Sequence, residues 1–300
     1  MSVVLIGGNG QVGYELRRAL APFGLSAVLD RSRLDLNDPD AVRPAIEALD
    51  ERPKVIVNAT AYTAVDKAED DQASADRVNH LSVATLAETA RDLGACLVHY
   101  STDYVFDGSK DGLYGEDDPT GPLGVYGQTK LAGEQAIVRS GAAHLIFRTS
   151  WVYARRGKNF AATMLRLAAD REELSVVADQ VGAPTSAELI ADVTAIALGS
   201  TSLDPDRLRT ISGIYHLVAA GETSWHGFAR HVIERASANG RPLKASPDRI
   251  KPIATADYPT PAKRPANSRL NIGKIERTFG LQMPRWTTHV DRTVDQWCEA

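Results

Sequence analysis

Tyr126 and Lys130 stand at i and i+4 in a stretch whose pattern predicts a helix over about 126–139. Positions four apart share a helix face, so the lysine ammonium can lie beside the phenol. A neighbouring cation favours phenolate and is expected to bring the tyrosine below its ordinary value near 10, fitting it for general acid or base work. Such a pair is common on surface helices. It gains meaning from Ser101-Thr102-Asp103-Tyr104, which closes an apolar strand. In an open α/β sheet the carboxyl ends of strands face the ligand crevice, where a hydroxyl such as that of Thr102 can hydrogen-bond a reacting oxygen.

A second constellation lies at the N-terminus. Gly7-Gly8-Asn9-Gly10-Gln11-Val12-Gly13 follows an apolar run and opens a helical pattern. It satisfies G-x-G-x-x-G as Gly8, Gly10 and Gly13, and G-x-x-G-x-x-G as Gly7, Gly10 and Gly13. Glycines there allow a tight turn, close approach of backbone to a pyrophosphate and helix–strand packing, and the helix N-terminus attracts the anion. Asp30 ends the next strand, where a carboxylate can bind the adenosine ribose of a dinucleotide. That carboxylate favours NADH, whereas Arg31 and Arg33 could hold the extra phosphate of NADPH; both cofactors stay open. Asp35-Leu36 reads either as an adenine contact or as a solvated turn.

The elements that must position these residues alternate regularly. Strands are expected at 3–6, 25–29, 55–57, 96–100 and 145–147, with helices at 11–21, 38–50, 73–93 and 126–139 between them. Asp38-Pro39 reads as an N-cap with proline at the first helical position. Strands separated by helices give βαβ units and a Rossmann-type, doubly wound parallel sheet. Residues 1–150 are therefore expected to form the dinucleotide-binding domain. Residues 151–300 are expected to form mainly a smaller α/β substrate lobe, with the chain free to cross back. Further helices are expected near 159–169, 187–198, 225–236 and 288–297. Pro247, Pro252, Pro259, Pro261 and Pro265 mark a stiffened loop region.

Composition sets outer bounds. The 300 residues carry a net charge of −4 with the charges interspersed, which gives no nucleic-acid face. No run is apolar and long enough to cross a membrane, and nothing at the start resembles a signal peptide. Cys96, in an apolar run, and the distant Cys298 show no pairing or metal spacing, which fits a reducing, cytoplasmic setting. His226 and His231 share a helix face poorly and do not suggest zinc. Glu69-Asp70-Asp71 reads as a solvated helix start. Trp225 reads as a core anchor.

Together these stretches resemble the extended short-chain dehydrogenase/reductase superfamily and, within it, the dTDP-4-dehydrorhamnose reductase family. The resemblance covers nearly the whole chain. Its motifs are GGNGQVG at 7–13, VNATAYTAVDKAE at 57–69, HYSTDYVF at 99–106 and VYGQTKLAGE at 125–134. FRTSWVY at 147–153, DQVGAPT at 179–185 and YPTPAKRPANSRL at 258–270 lie outside the generic dinucleotide fold and are the more diagnostic. Thr102 stands where many superfamily members have serine, and either supplies a hydroxyl.

The resemblance implies roles. Tyr126 would donate the proton, Lys130 would bind the nicotinamide ribose and tune Tyr126, and Thr102 would hold the keto oxygen with Asp103 beside it at the sugar. Gly10, Gln11 and Val12 would cradle the pyrophosphate. Asp30, Asp35 and Leu36 would contact the adenosine, and Ala61, Tyr62 and Thr63 would line the cofactor. Trp151 would touch the deoxysugar nucleotide. Arg264 and Arg269, in the proline-rich loop, read either as diphosphate ligands, since arginine offers a planar fork of donors, or as solvated surface arginines. Some relatives use Mg²⁺ at a subunit contact; Glu15 and Glu188 lie in matching segments, though two distant carboxylates do not make a site. A homodimer is a family expectation. The implied reaction is NAD(P)H-dependent reduction of a dTDP-4-keto-6-deoxysugar to dTDP-L-rhamnose. Two rivals remain. The first is a different enzyme of the same fold, whether a reductase of another dTDP-4-keto-deoxysugar, an epimerase or a 4,6-dehydratase; a dehydratase would be expected to carry Thr-Asp-Glu where this chain has Thr102-Asp103-Tyr104. A non-catalytic NADP-binding regulatory subunit would not need Tyr126, Lys130 and Thr102 together.

Overall fold

The computed structural model describes residues 2–299. Five apolar runs become β1 (Val3–Ile6), β2 (Leu25–Leu29), β3 (Val55–Asn58), β4 (Cys96–Thr102) and β5 (His144–Thr149). With a late strand, Gly213–His216, they form one parallel six-stranded sheet. Its order is Gly213–His216, β5, β4, β3, β1, β2. The chain runs outward from β1 to β2, then returns to place β3 on the other side of β1. The gap at the carboxyl ends of β1 and β3 is thus the topological switch point, where open sheets bind ligands.

Both faces of the sheet are covered, as the unbroken apolar strands require. Val3, Leu5, Val55, Val57 and Phe147 point to one face, against Leu16, Ile190 and Val290. Val4, Ile6, Ile56 and Ile146 point to the other, against Val42, Leu86 and Ile137. Successive side chains alternate between faces, so a single four-residue strand feeds two cores. The helix α1 (Gln11–Ala19) lies on the helix Ala187–Gly199, which comes from the second half of the chain. That half returns to the sheet, because Gly213–His216 pairs with β5.

A smaller core lies beyond it. Strands Leu174–Val177 and Ile250–Ile253 pair in parallel, and Val176, Met164, Ile233 and Ile250 close over them. Pro252 sits within this two-stranded pair, where an edge position needs no donor on one side. A strand here replaces part of the loop expected from the prolines, because Ile250 is buried by its pairing with Leu174.

Two helices differ from expectation. The stretch 73–93 is not one α-helix: Gln72–Asp76 leads into a π-helical turn, Arg77–Leu81, and then Ser82–Leu93. The wider turn faces Asn79 inward, and Asn79 is buried. Its Oδ1 accepts the Tyr62 backbone N–H at 2.9 Å, and its Nδ2 donates to Tyr62 O and Thr129 Oγ1, both at 3.2 Å. Such turns are frequent at functional sites. Asp38 does cap its helix, accepting Asp40 N–H at 3.2 Å, but Pro39 opens a 3₁₀ turn and the α-helix runs only from Val42 to Glu47. Among the described residues no helix is long and apolar enough to cross a membrane.

Candidate active site

A cleft of about 850 Å³ opens at the carboxyl ends of the strands. Its floor is the glycine turn. Gly7, Gly10, Gln11 and Val12 line it, while Gly13 does not. A side chain at Gly13 would meet Gly7 O at 2.0 Å, so this glycine serves helix–strand packing. At Gly10 an added carbon would find only ordinary contacts, the nearest at 3.5 Å. The protein leaves room there, which suits close approach by a phosphate. Asp30, Asp35, Leu36, Ala61, Tyr62 and Thr63 line the same cleft. The Asp30 carboxylate accepts Ser32 N–H at 3.0 Å and Ser32 Oγ–H at 2.6 Å, and these bonds hold it below the usual carboxylate range. Arg31 is engaged with Asp35 at 3.1 Å.

The helix carrying Tyr126 and Lys130 runs from Val125 to Ser140. Its first free N–H, on Val125, is met by Glu69 Oε1 at 3.0 Å. Glu69 is therefore the cap of this helix and not part of a merely solvated acidic start. A charged acceptor at a helix N-terminus is favourable. Nine residues further on, Glu134 makes a forked pair with Arg148 of β5, at 3.0 Å from Nε and 2.7 Å from Nη2, both side chains being buried. The two contacts pin the helix at its start and its middle. Tyr126 and Lys130 share a face and line the cleft.

The electrostatics differ from the expectation in one respect. Burial raises the Tyr126 phenol above its ordinary value, opposed by the Thr102 hydroxyl and aided by Asp103 and Tyr104. Lys130 does not pull it down, because its Nζ donates to Tyr100 O at 2.6 Å and lies 3.0 Å from His99 Nε2. Burial brings Lys130 itself down to about 8, against the attraction of Glu134. A phenol held protonated is fitted to give a proton, not to take one.

Thr102 and Asp103 end β4 in the cleft wall. Thr102 Oγ1 donates to Asp103 Oδ1 at 3.0 Å. Asp103 is pushed up to about 6 by burial, against hydrogen bonds from Ser268 and Thr102. Asp103 Oδ2, Ser101 Oγ and Thr149 Oγ1 are buried without a partner. All three residues line the cleft. Buried polar atoms without partners are costly unless a ligand meets them, so these fit a polar guest.

Trp151 also lines the cleft. It has φ +50°, in the left-handed region that costs a bulky residue on the order of 1–3 kcal/mol. Its indole stacks on Trp225 at 3.7 Å and 14°, and Trp225 Nε1–H donates to Gln180 Oε1 at 3.2 Å. Trp225 thus backs a cleft residue from behind.

Arg264 and Arg269 are not in the cleft wall. Arg264 pairs with Asp66 at 2.8 Å and reaches Tyr104 OH at 3.4 Å, so it stands behind the wall. Arg269 is taken up by Asn267 at 2.8 Å and Glu222 at 3.4 Å. Each guanidinium is already engaged by a carboxylate. The cations that do line the cleft are Arg31, Lys67, Lys130 and Lys158. Lys158 lies in none of the motifs, and Lys67, though within the 57–69 motif, has no spacing there that sets it apart.

Glu15 and Glu188 meet at a separate surface pocket. Arg18 pairs with Glu15 at 3.5 Å and Arg292 with Glu188 at 3.1 Å. Each carboxylate already has a cation, which removes much of the pull on a dication. Among the described residues no group of three or more histidine, cysteine or acidic side chains could hold a metal. The set does not fit Mg²⁺, and no step below uses it.

Comparison with known proteins agrees with this arrangement. The family described as "RmlD substrate binding domain" matches residues 1–298. The dTDP-4-dehydrorhamnose reductase of Escherichia coli (strain K12) is 48% identical over 300 residues, covering 99% of this chain and 98% of the relative. That of Burkholderia thailandensis is 49% identical over 288 residues, with 95% of each chain covered. The crystal structure of dTDP-4-dehydrorhamnose reductase from Bacillus anthracis in complex with NADP superposes with a TM-score of 0.86. It is 32% identical and covers 98% of this chain and 99% of its own. On sequence, motif and fold alike, the chain belongs to the dTDP-4-dehydrorhamnose reductase family.

Proposed function

We propose that this oxidoreductase reduces dTDP-4-dehydro-6-deoxy-L-mannose to dTDP-L-rhamnose, the last step of dTDP-rhamnose formation. The observation that carries the reading is the placing of Tyr126 and Lys130 on one helix face, opening on the cleft that also holds the glycine turn. A bound NADPH or NADH supplies the hydride. Gly10, Gln11 and Val12 hold its pyrophosphate against the N-terminus of α1, and Asp30 and Leu36 flank the adenosine. Thr102 donates a hydrogen bond to the C4 keto oxygen, and Tyr126 gives its proton to that oxygen as the C–H bond forms. Preorganised donors aimed at a developing alkoxide are the main source of rate in such a site. Lys130 holds the nicotinamide ribose, Asp103 accepts from a sugar hydroxyl, and Trp151 covers the deoxysugar face.

The test is a panel of 4-keto sugar nucleotides offered with each cofactor, followed by absorbance and product identification. The expected result is fast oxidation of the cofactor with this substrate and recovery of dTDP-L-rhamnose. Tight cofactor binding without turnover of any member of the panel would point to the regulatory-subunit reading.

A further inference from the structure

One polar side chain in the middle of β4 is left unused by this mechanism. His99 is fully buried. Its Nδ1 lies 3.2 Å from Asn58 Nδ2 on β3, and its Nε2 lies 3.0 Å from Lys130 Nζ. The orientation of Asn58 is fixed from the other side, because its Oδ1 accepts the Thr60 backbone N–H at 3.0 Å. The amide NH₂ must therefore face the imidazole. An amide nitrogen only donates, so Nδ1 must accept, and a neutral imidazole accepting at Nδ1 carries its proton on Nε2. That proton points at Lys130 Nζ, which can accept it only as the neutral amine. As an ammonium, Lys130 would oppose N–H to N–H at His99 while still donating to the Tyr100 carbonyl at 2.6 Å.

We propose that His99 is a positioning residue for the reduction: locked by Asn58 as the Nε2–H tautomer, it favours the amine form of Lys130 and lets that lysine exchange its proton near the working pH. The kinetic part of this inference rests on the reductase reading; the tautomer does not. The charged group that acts on Lys130 is Glu134 on its own helix, clamped by Arg148 of β5. From the π-helical turn comes the uncharged Asn79, bonded to Thr129. Burial holds His99 well below the usual histidine range, and an ammonium at Lys130 would only lower it further, so the imidazole is neutral in either state of the lysine. Burial likewise brings Lys130 down to about 8.

The proton balance gives the arrangement a purpose. Reduction takes a hydride from the cofactor and one proton from Tyr126, whose O–H bond breaks as the substrate O–H forms. The phenolate left behind needs a proton; Lys130, on the same helix and lining the same cleft, is the donor that can supply it, and solvent then refills Lys130. With the Tyr126 phenol raised above its ordinary value, its phenolate takes that proton readily from an ammonium at Lys130. A lysine brought down toward neutrality loses its own proton as the pH rises, and that supply ends there.

The experiment uses the full chain labelled with ¹⁵N-histidine, with His99 assigned by its loss in His99→Gln. Long-range ¹H–¹⁵N spectra should show the neutral Nε2–H tautomer throughout about pH 6–9. An Nδ1–H tautomer or an imidazolium there would overturn the inference. In parallel, kcat is followed against pH. Wild type should lose kcat as the pH rises through about 8, the value to which burial brings Lys130. In His99→Gln the side-chain oxygen can turn to accept from the ammonium, so this limb should move up by about one pH unit, with KM for the sugar nucleotide little changed. A lower kcat with the limb unmoved would mean that His99 is merely structural and would sink the proposal. Should His99→Gln fail to fold, Asn58→Asp decides, since a carboxylate makes Nδ1 donate and turns the Nε2 lone pair to Lys130. The limb must again move up, and a fixed limb is a refutation. Wild type inactive at every pH would remove the reductase reading, while the spectra would still judge the tautomer.

Discussion

On the sheet side of the cleft, Thr102 ends the largely buried β4, Asp103 follows it, and Tyr126 and Lys130 lie in the first two turns of the helix that Glu69 caps; Thr102, Asp103 and Lys130 are each held by a short hydrogen bond. On the lobe side, Trp151 is held in a strained backbone by a stack on Trp225, which depends in turn on Gln180 and its 3.0 Å bond to Thr255. The first wall is fixed by secondary structure and the second by a relay of side chains from three distant segments. The difference teaches where tolerance lies. Chemistry is placed by the parallel sheet, which cannot shift without breaking the core. On the proposed reading, recognition of the sugar falls to the lobe side, which can vary one contact at a time.

The largest expected effect lies on the sheet side. Glu134→Gln keeps the shape of the buried pair but leaves the Arg148 cation uncompensated, and denaturant unfolding should show a loss of about 3–5 kcal/mol. A loss below about 1 kcal/mol would mean that the pair does not pin the helix. Next, Tyr126→Phe should cut turnover by at least about a hundredfold while cofactor affinity, read by fluorescence titration, stays close to wild type. On the lobe side, Trp225→Ala should raise KM for the sugar nucleotide by roughly tenfold and leave cofactor affinity alone, because it frees Trp151 without touching the glycine turn. Equal losses for both ligands would erase the division between the two walls. The smallest effect is expected at Asp30, near the surface: Asp30→Asn removes a negative charge from the ribose end and should shift preference toward NADPH by a few-fold, measured as a ratio of kcat/KM values.

Legibility in the sequence follows the same division. The glycine turn, β1 to β5 and the Tyr126 helix are local patterns, written in consecutive residues such as Val3–Ile6 and in the four-residue spacing of Tyr126 and Lys130. Gly10 could be read as a ligand glycine from its motif, but only the structure separates it from Gly13, which packs on Gly7. Asn79 and His99 were open to detection as polar residues inside apolar stretches; their partners, Tyr62, Thr129, Asn58 and Lys130, come from other elements and leave no local trace. Arg264 and Arg269 looked like anion ligands because their forks were free on paper. Asp66 and Glu222, far away in sequence, occupy them in the folded chain. The four-residue spacing suggests a downward pull of Lys130 on Tyr126, but the ammonium is turned to Tyr100 and His99, partners the spacing does not show, and burial raises the phenol.

The account turns on a hydride delivered to the sugar C4 beside Tyr126. The direct measurement supplies cofactor deuterated at its transferable position, with dTDP-4-dehydro-6-deoxy-L-mannose, and reads the product by NMR and mass spectrometry. The expected product is dTDP-L-rhamnose carrying deuterium at C4. Product without deuterium, or cofactor bound but never oxidised, would contradict the account.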